Sequence, residues 1–173
     1  MTRYAITVTR TLSALMMVFH MYPASASTID FDCDVPKNHY SSVTQDINGP
    51  ISVSGIIELV EMRSGDNLPL AGVRFVSADG LISTGFRLMA SSEHAKQFDI
   101  KLNTKSGESF KEILLGQVDV KESVPFTFSL SQAGKVAINI GGITFGADFI
   151  PIVDGKEMAY CSTAQFKFTK LLF

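Results

Sequence analysis

Val124-Pro125-Phe126-Thr127-Phe128-Ser129-Leu130, followed after a short turn by Gly134-Lys135-Val136-Ala137-Ile138-Asn139-Ile140-Gly141-Gly142, is the stretch that decides the fold. Val124, Phe126, Phe128 and Leu130 occupy alternate positions, with Thr127, Ser129 and Ser131 on the opposite side. Val136, Ile138 and Ile140 repeat the alternation after Ala133-Gly134. A period of two places every apolar side chain of a segment on one face of a strand, which no helix can do. Gly141-Gly142 supplies a second tight turn, and Ile143 and Phe145 resume the pattern beyond it, with Phe149 following.

Working outward, Phe98, Ile100 and Leu102 mark another strand, ended by Thr104-Lys105-Ser106-Gly107. Ile51–Met62, Leu70–Ser77, Leu81–Ala90 and Phe110–Val120 are rich in β-branched or aromatic residues. Ser64-Gly65-Asp66-Asn67, Ala78-Asp79-Gly80 and Ser91-Ser92-Glu93-His94 separate them as turns. Nearer the start, Ile29, Phe31, Cys33 and Val35 alternate with Asp30, Asp32 and Asp34. Residues 36–49 form the longest polar stretch and are expected as a surface loop. The reading is an all-β chain, a two-sheet antiparallel β-sandwich of about ten strands. The last strand holds a conflict: Phe166 and Phe168 are even, Cys161 is odd, and a regular strand cannot point all three one way. A bulge or bend between Ser162 and Gln165 is expected, or else the two phenylalanines face another layer.

The first 26 residues read differently. Arg3 and Arg10 are basic, and no acidic residue precedes Asp30. An apolar run from Leu12 to Tyr22 is broken only by Ser13 and His20, and Pro23 and Ala24-Ser25-Ala26 follow. These are the three parts of a secretion signal cut after Ala26, and the apolar run is shorter than the about 20 residues a membrane helix needs. The expected division is a signal at 1–26 and one sandwich domain at 27–173, periplasmic or secreted, with no membrane insertion after cleavage. The alternative is an N-terminal anchor helix that stays attached.

Two of the fifteen basic residues leave with the signal, so thirteen face seventeen acidic ones, a net charge of −4. A mildly acidic chain with scattered lysines lacks the basic face that nucleic acid requires. Cys33 and Cys161 are the only cysteines. In an oxidising compartment they are expected to form a disulfide, with two buried free thiols as the rival. Together with His39 and His94 they show no metal-ligand spacing.

From about Ile51 to Phe149 the pattern resembles the concanavalin A-like and laminin G-like jelly-roll sandwiches. Three stretches carry it: Ala71-Gly72-Val73-Arg74-Phe75-Val76-Ser77-Ala78-Asp79-Gly80, its hairpin partner Gly85-Phe86-Arg87-Leu88, and the Val124–Gly142 hairpin. The resemblance implies a jelly roll whose terminal strands lie side by side, which suits a Cys33–Cys161 bridge. It also implies a glycan-binding module, a protein-binding module or a glycoside hydrolase. The chain departs from the family in having no tryptophan and no calcium cluster.

Several groups of polar residues are candidate sites. Asn38, His39 and Tyr40 lie in the polar stretch and have the chemistry to hydrogen-bond and stack on a sugar, against the plainer reading of a solvated loop. Asp30, Asp32 and Asp34 share one face and are weak candidates for a hard cation. The plainer reading is a charged edge that discourages strand-to-strand aggregation. Glu58 and Glu61 are the nearest pair of glutamates, but i and i+3 point to opposite faces unless a bulge intervenes. Ser92, Glu93 and His94 are adjacent in sequence and make no triad, and there is no Gly-x-Ser-x-Gly elbow. A terminal Phe173 on an alternating strand resembles an outer-membrane barrel signal, but aromatic girdles are missing. No cofactor is expected. The favoured expectation is an exported, non-catalytic recognition module for a glycan or other extracellular ligand. An envelope structural or protein-interaction role and a glycoside hydrolase or lyase are the alternatives.

Overall fold

The computed structural model describes residues 27–173; the secretion-signal reading falls on residues outside these. The strands are β1 (Ile29–Asp34), β2 (Tyr40–Asp46), β3 (Ile51–Met62), β4 (Leu70–Ser77), β5 (Ile82–Ala90), β6 (Gln97–Ser106), β7 (Ser109–Asp119), β8 (Val124–Leu130), β9 (Lys135–Ile140), β10 (Ile143–Asp148), β11 (Gly155–Ser162) and β12 (Ala164–Leu172). They form two antiparallel six-stranded sheets. The first has the order β1-β12-β3-β8-β9-β10, the second β2-β11-β4-β5-β6-β7. No helix among the described residues is long and apolar enough to cross a membrane.

The alternation seen in the sequence is the alternation of burial. In β8 and β9, Val124, Phe126, Phe128, Leu130, Val136, Ile138 and Ile140 are all buried. They meet Phe75 and Phe86 of the second sheet, with Phe75 stacked on Phe128 at 4.6 Å and Phe86 edge-on to Phe126 at 5.2 Å. Phe98 and Phe166 close a second inter-sheet contact at 5.7 Å. Such aromatic pairs each add about 0.5–1.5 kcal/mol beyond the area they bury.

Twelve strands replace the expected ten for two reasons. The stretch expected as a loop at 36–49 contains β2, which runs along β11 from Ser162↔Tyr40 to Lys156↔Asp46. An edge strand needs hydrogen bonds on one side only, so a polar sequence serves. The conflict near the C-terminus is resolved by a change of sheet. β11 ends at Ser162, Thr163 takes a left-handed conformation (φ 53°), and β12 begins in the other sheet. Cys161, Phe166 and Phe168 all point into the core, from opposite walls of it. The disulfide Cys33–Cys161 is present, with Cα atoms 6.1 Å apart. It does not join the two terminal strands of one sheet; it ties β1 to β11 across the core.

Candidate functional site

Glu58 and Glu61 occupy the same outer face, contrary to their i, i+3 spacing. The pairing of β3 with β12 slips by one residue: Leu59 faces Phe166, but Glu61 faces Gln165. Val60 is the extra residue of this bulge, which sets both glutamates opposite outward residues of β12, Lys167 and Gln165. Each is engaged, Glu58 by the Ser123 hydroxyl at 2.6 Å and Glu61 by Arg63 at 2.7 Å.

The three aspartates of β1 lie on this face as well. The Asp30 carboxylate accepts the Lys170 backbone N–H at 3.0 Å, and Asp32 accepts the Gln165 side-chain amide at 2.9 Å. Asp34 pairs with Arg63 at 2.7 Å. The carboxylates thus turn to three different partners, and no group of three or more His, Cys, Asp or Glu among the described residues is placed to hold a metal.

Asn38 and His39 sit at the turn before β2. Asn38 is left-handed (φ 62°); its amide donates to Asp66 at 3.1 Å, and its side-chain oxygen accepts the Asn67 N–H at 3.0 Å. The His39 ring contacts the Lys37 carbonyl at 2.8 Å. Both side chains are occupied in shaping the turn. Tyr40 is different, because as the first residue of β2 it projects onto the outer face of the second sheet.

That face is built from four rows of residues that run across all six strands, the outermost being Tyr40, Ser162, Leu70, Met89, Asp99 and Gln117. The central row is Thr44, Met158, Arg74, Gly85, Asn103 and Glu112; beside it lies Ser42, Tyr160, Gly72, Arg87, Lys101 and Leu114. On the other side lies Asp46, Lys156, Val76, Ser83, Lys105 and Phe110. Arg74 and Arg87 each stand opposite a glycine, Gly85 and Gly72. The strands approach so closely there that a Cβ on either glycine would lie 2.3 Å from a backbone carbonyl. A glycine opposite each arginine leaves no cross-strand side chain to crowd it.

Arg74 lies over the Tyr160 ring, 5.6 Å from its centroid, and touches the Met158 sulfur at 3.5 Å. Tyr40 packs against Tyr160 at 5.8 Å and donates its hydroxyl to Met158 at 2.9 Å. Arg87 and Lys101 are like charges placed directly opposite, a destabilising arrangement. Glu112 relieves it by pairing with both, at 2.9 Å from Lys101. Burial alone would raise the Glu112 carboxyl, but the Lys101 hydrogen bond and the two positive charges outweigh it and hold it low. Burial pushes the Tyr160 phenol up, against the charges of Arg74 and Arg87. Arg74 itself has no carboxylate partner among the described residues. The Nε atoms of Arg74 and Arg87 and Oδ1 of Asn103 are buried with no hydrogen-bond partner among the described residues. Each such group costs about 1–3 kcal/mol, so three on one face need a reason.

A cleft of about 470 Å³ opens beside Arg74, lined by Val76, Ser77, Asp79, Asp154, Lys156 and Met158. A second of about 480 Å³ lies between the edges β7 and β10; Leu102, Ile113, Ala147, Phe149 and Ile150 make it largely apolar. Only the first is continuous with the polar rows. Of this site, the sequence reading held Tyr40 alone. Arg74 and Arg87 did carry a signal, since each is a charge between two core residues, Val73-Arg74-Phe75 and Phe86-Arg87-Leu88.

No family model matches the sequence, and no curated protein does. Solved structures match in fold. The carbohydrate-binding module CBM66 from Bacillus subtilis is 10% identical, covering 84% of this chain and 91% of that one, with a TM-score of 0.52. The galectin LEC-6 of Caenorhabditis elegans is 11% identical over 83% and 94%, with a TM-score of 0.51. A β-glucanase of Bacillus licheniformis is 11% identical over 89% and 94%, with a TM-score of 0.50. The chain therefore has a concanavalin A-like jelly-roll fold.

Proposed function

We propose that this protein is an exported, non-catalytic recognition module that binds a glycan on the outer face of its second sheet. The observation that carries the reading is the continuous patch from the Tyr40–Tyr160–Arg74 stack to Arg87, Lys101 and Asn103, with covered donors and an acceptor left unpartnered. Aromatic faces for stacking and a few convergent polar groups are what a hydroxylated ring requires. The likeness in fold to a carbohydrate-binding module and a galectin adds support. The lack of tryptophan is met by the two tyrosines.

Catalysis is disfavoured by the placement of acids. Glu112 on β7 and Asp46 on β2 stand at opposite edges of the sheet, five inter-strand spacings of about 4.8 Å or roughly 24 Å apart. Asp99 lies four residues along β6 from the partner of Glu112, roughly 13 Å away, whereas glycoside hydrolysis needs carboxylates within about 5–10 Å. Asp79 and Asp154 share the cleft beside Arg74, but the Ser77 hydroxyl and the Leu81 N–H engage the Asp79 carboxylate and hold it low. Tyr160, with its phenol raised, holds its proton at neutral pH and is a poor base for lyase chemistry.

A glycan array followed by calorimetry tests the binding; no binding to any sugar refutes it. Release of reducing ends or unsaturated product would replace it with the enzyme reading. Export rests on the Arg3–Ala26 pattern, and protein recovered from cells should begin at Ser27.

An envelope protein-interaction role is favoured by one separate observation. Edge strand β7 exposes Phe110 and Leu114, 60% and 58% accessible, beside unpaired backbone groups. Unchanged pull-down partners after Phe110→Ser would remove that reading.

A further inference from the structure

We infer that the ligand of this face is an acidic saccharide, one bearing carboxylate or sulfate groups, an inference that rests on the glycan reading above. The charge balance carries it. The four rows hold five of the thirteen basic residues of 27–173: Arg74, Arg87, Lys101, Lys105 and Lys156. They hold three of the seventeen acidic ones, Glu112, Asp46 and Asp99. The face therefore carries an excess of two positive charges, while the rest of 27–173 carries eight basic and fourteen acidic residues, a net −6. A positive field on one face of an acidic molecule selects for an anionic partner and steers it there.

The pairing within the face sharpens the point. Glu112 is spent on Arg87 and Lys101 together, and Asp46 lies 3.5 Å from Lys156 at the far edge. Arg74, on the central row, remains a cation held in place by Tyr160 and Met158 and answered by no carboxylate among the described residues. A guanidinium held beside Tyr160 and Met158 keeps N–H donors that can meet a carboxylate or a sulfate. Asn103, next to Glu112 in the row and across Gly85 from Arg74, holds a covered acceptor oxygen that has no partner among the described residues. The same site thus offers N–H donors for the acid group, a covered acceptor oxygen and tyrosine rings for the sugar face.

Calorimetry of the purified protein with three probes of matched length tests this: polygalacturonate, dextran sulfate and dextran. At least one anionic probe should bind about tenfold or more tighter than dextran, and weaken as salt rises from about 50 to about 500 mM. The two anionic arms distinguish carboxylate from sulfate. Arg74→Gln should lose about tenfold in affinity, Arg74→Lys should lose less because charge is kept and the guanidinium is not, and Lys135→Gln on the opposite sheet should change nothing. Since Arg74 has no ion-pair partner, its removal should leave the melting curve in place; should Arg74→Gln not fold, Lys101→Gln reads the same term. Equal or tighter binding of neutral sugars, or unaltered binding by Arg74→Gln, overturns the inference and leaves the glycan reading standing. No binding to these probes or to any neutral glycan overturns both.

Discussion

The two outer faces of the sandwich arise from the same alternation and differ in how completely their polar groups are paired. On the first sheet Asp30, Asp32, Asp34, Glu58 and Glu61 each meet a donor: a backbone N–H, Gln165, Arg63, Ser123 and Arg63 again. On the second, Arg74 has no carboxylate, and three covered polar atoms have no partner. A face whose charges satisfy one another needs nothing further, whereas one with excess charge and orphaned donors is costly to keep unless it meets something else. The acidic cluster, conspicuous in the sequence, is the structural one.

Both faces hang on the registry between the sheets, so the largest effect should come from cutting the link that holds it. Reduction of Cys33–Cys161, or Cys33→Ala with Cys161→Ala, should cost about 4–5 kcal/mol by the chain-entropy relation for so long a loop. Chemical denaturation with and without reductant measures it. An unchanged midpoint would mean that the packed phenylalanines alone hold the two faces in place.

Glu157 comes next. It lies on the inner side of β11, behind the Arg74 face, 4% exposed, with the Ser52 backbone N–H as its hydrogen-bond partner. Burial raises its carboxyl to about 7 from the ordinary 4.5, against the smaller opposing pull of the Ser52 hydrogen bond. Between those values the folded chain keeps a proton that the unfolded chain has lost. Stability is therefore fullest below about 4.5, falls as pH rises to about 7, and stays low above it, by on the order of 3 kcal/mol. Glu157→Gln should flatten that slope, raising stability at pH 8 and leaving pH 4 unchanged. A melting series from pH 4 to 8 decides, and identical slopes in both proteins would place the titration elsewhere.

Smaller effects separate the faces themselves. Glu112→Gln leaves Arg87 and Lys101 opposed without relief and should cost about 1–2 kcal/mol, partly restored by salt. Asp34→Asn on the self-paired face should cost less than about 1 kcal/mol, since its pair with Arg63 is solvent-exposed, and should leave ligand binding untouched. Equal losses from the two would erase the distinction between the faces.

Most of the strands were legible residue by residue. Ile51–Met62 and Leu70–Ser77 stand where their β-branched content puts them, and the inward set of β8 and β9 is the one read from Val124 to Ile140. β2 was missed because an edge strand is not obliged to be apolar, and the break at Thr163 was visible only as a parity conflict between Cys161 and Phe166. Of the candidate site, Tyr40 was legible through its setting, and Arg74 and Arg87 stood only inside the stretches that carry the jelly-roll resemblance.

Parity along the chain placed the inward sides of 29–35, 98–102 and 124–140 and turned Cys33 toward the core. These are properties of neighbouring residues, and a period of two settles them locally. Only the tertiary structure decided which strands lie side by side. Tyr40 meets Tyr160 across 120 positions, Arg74 meets Tyr160 across 86, and one extra residue at Val60 carries Glu61 to the face of Glu58. A binding face is a set of rows across strands. Its members are chosen by sheet order and register, which the core packing of the whole chain sets and no local pattern records.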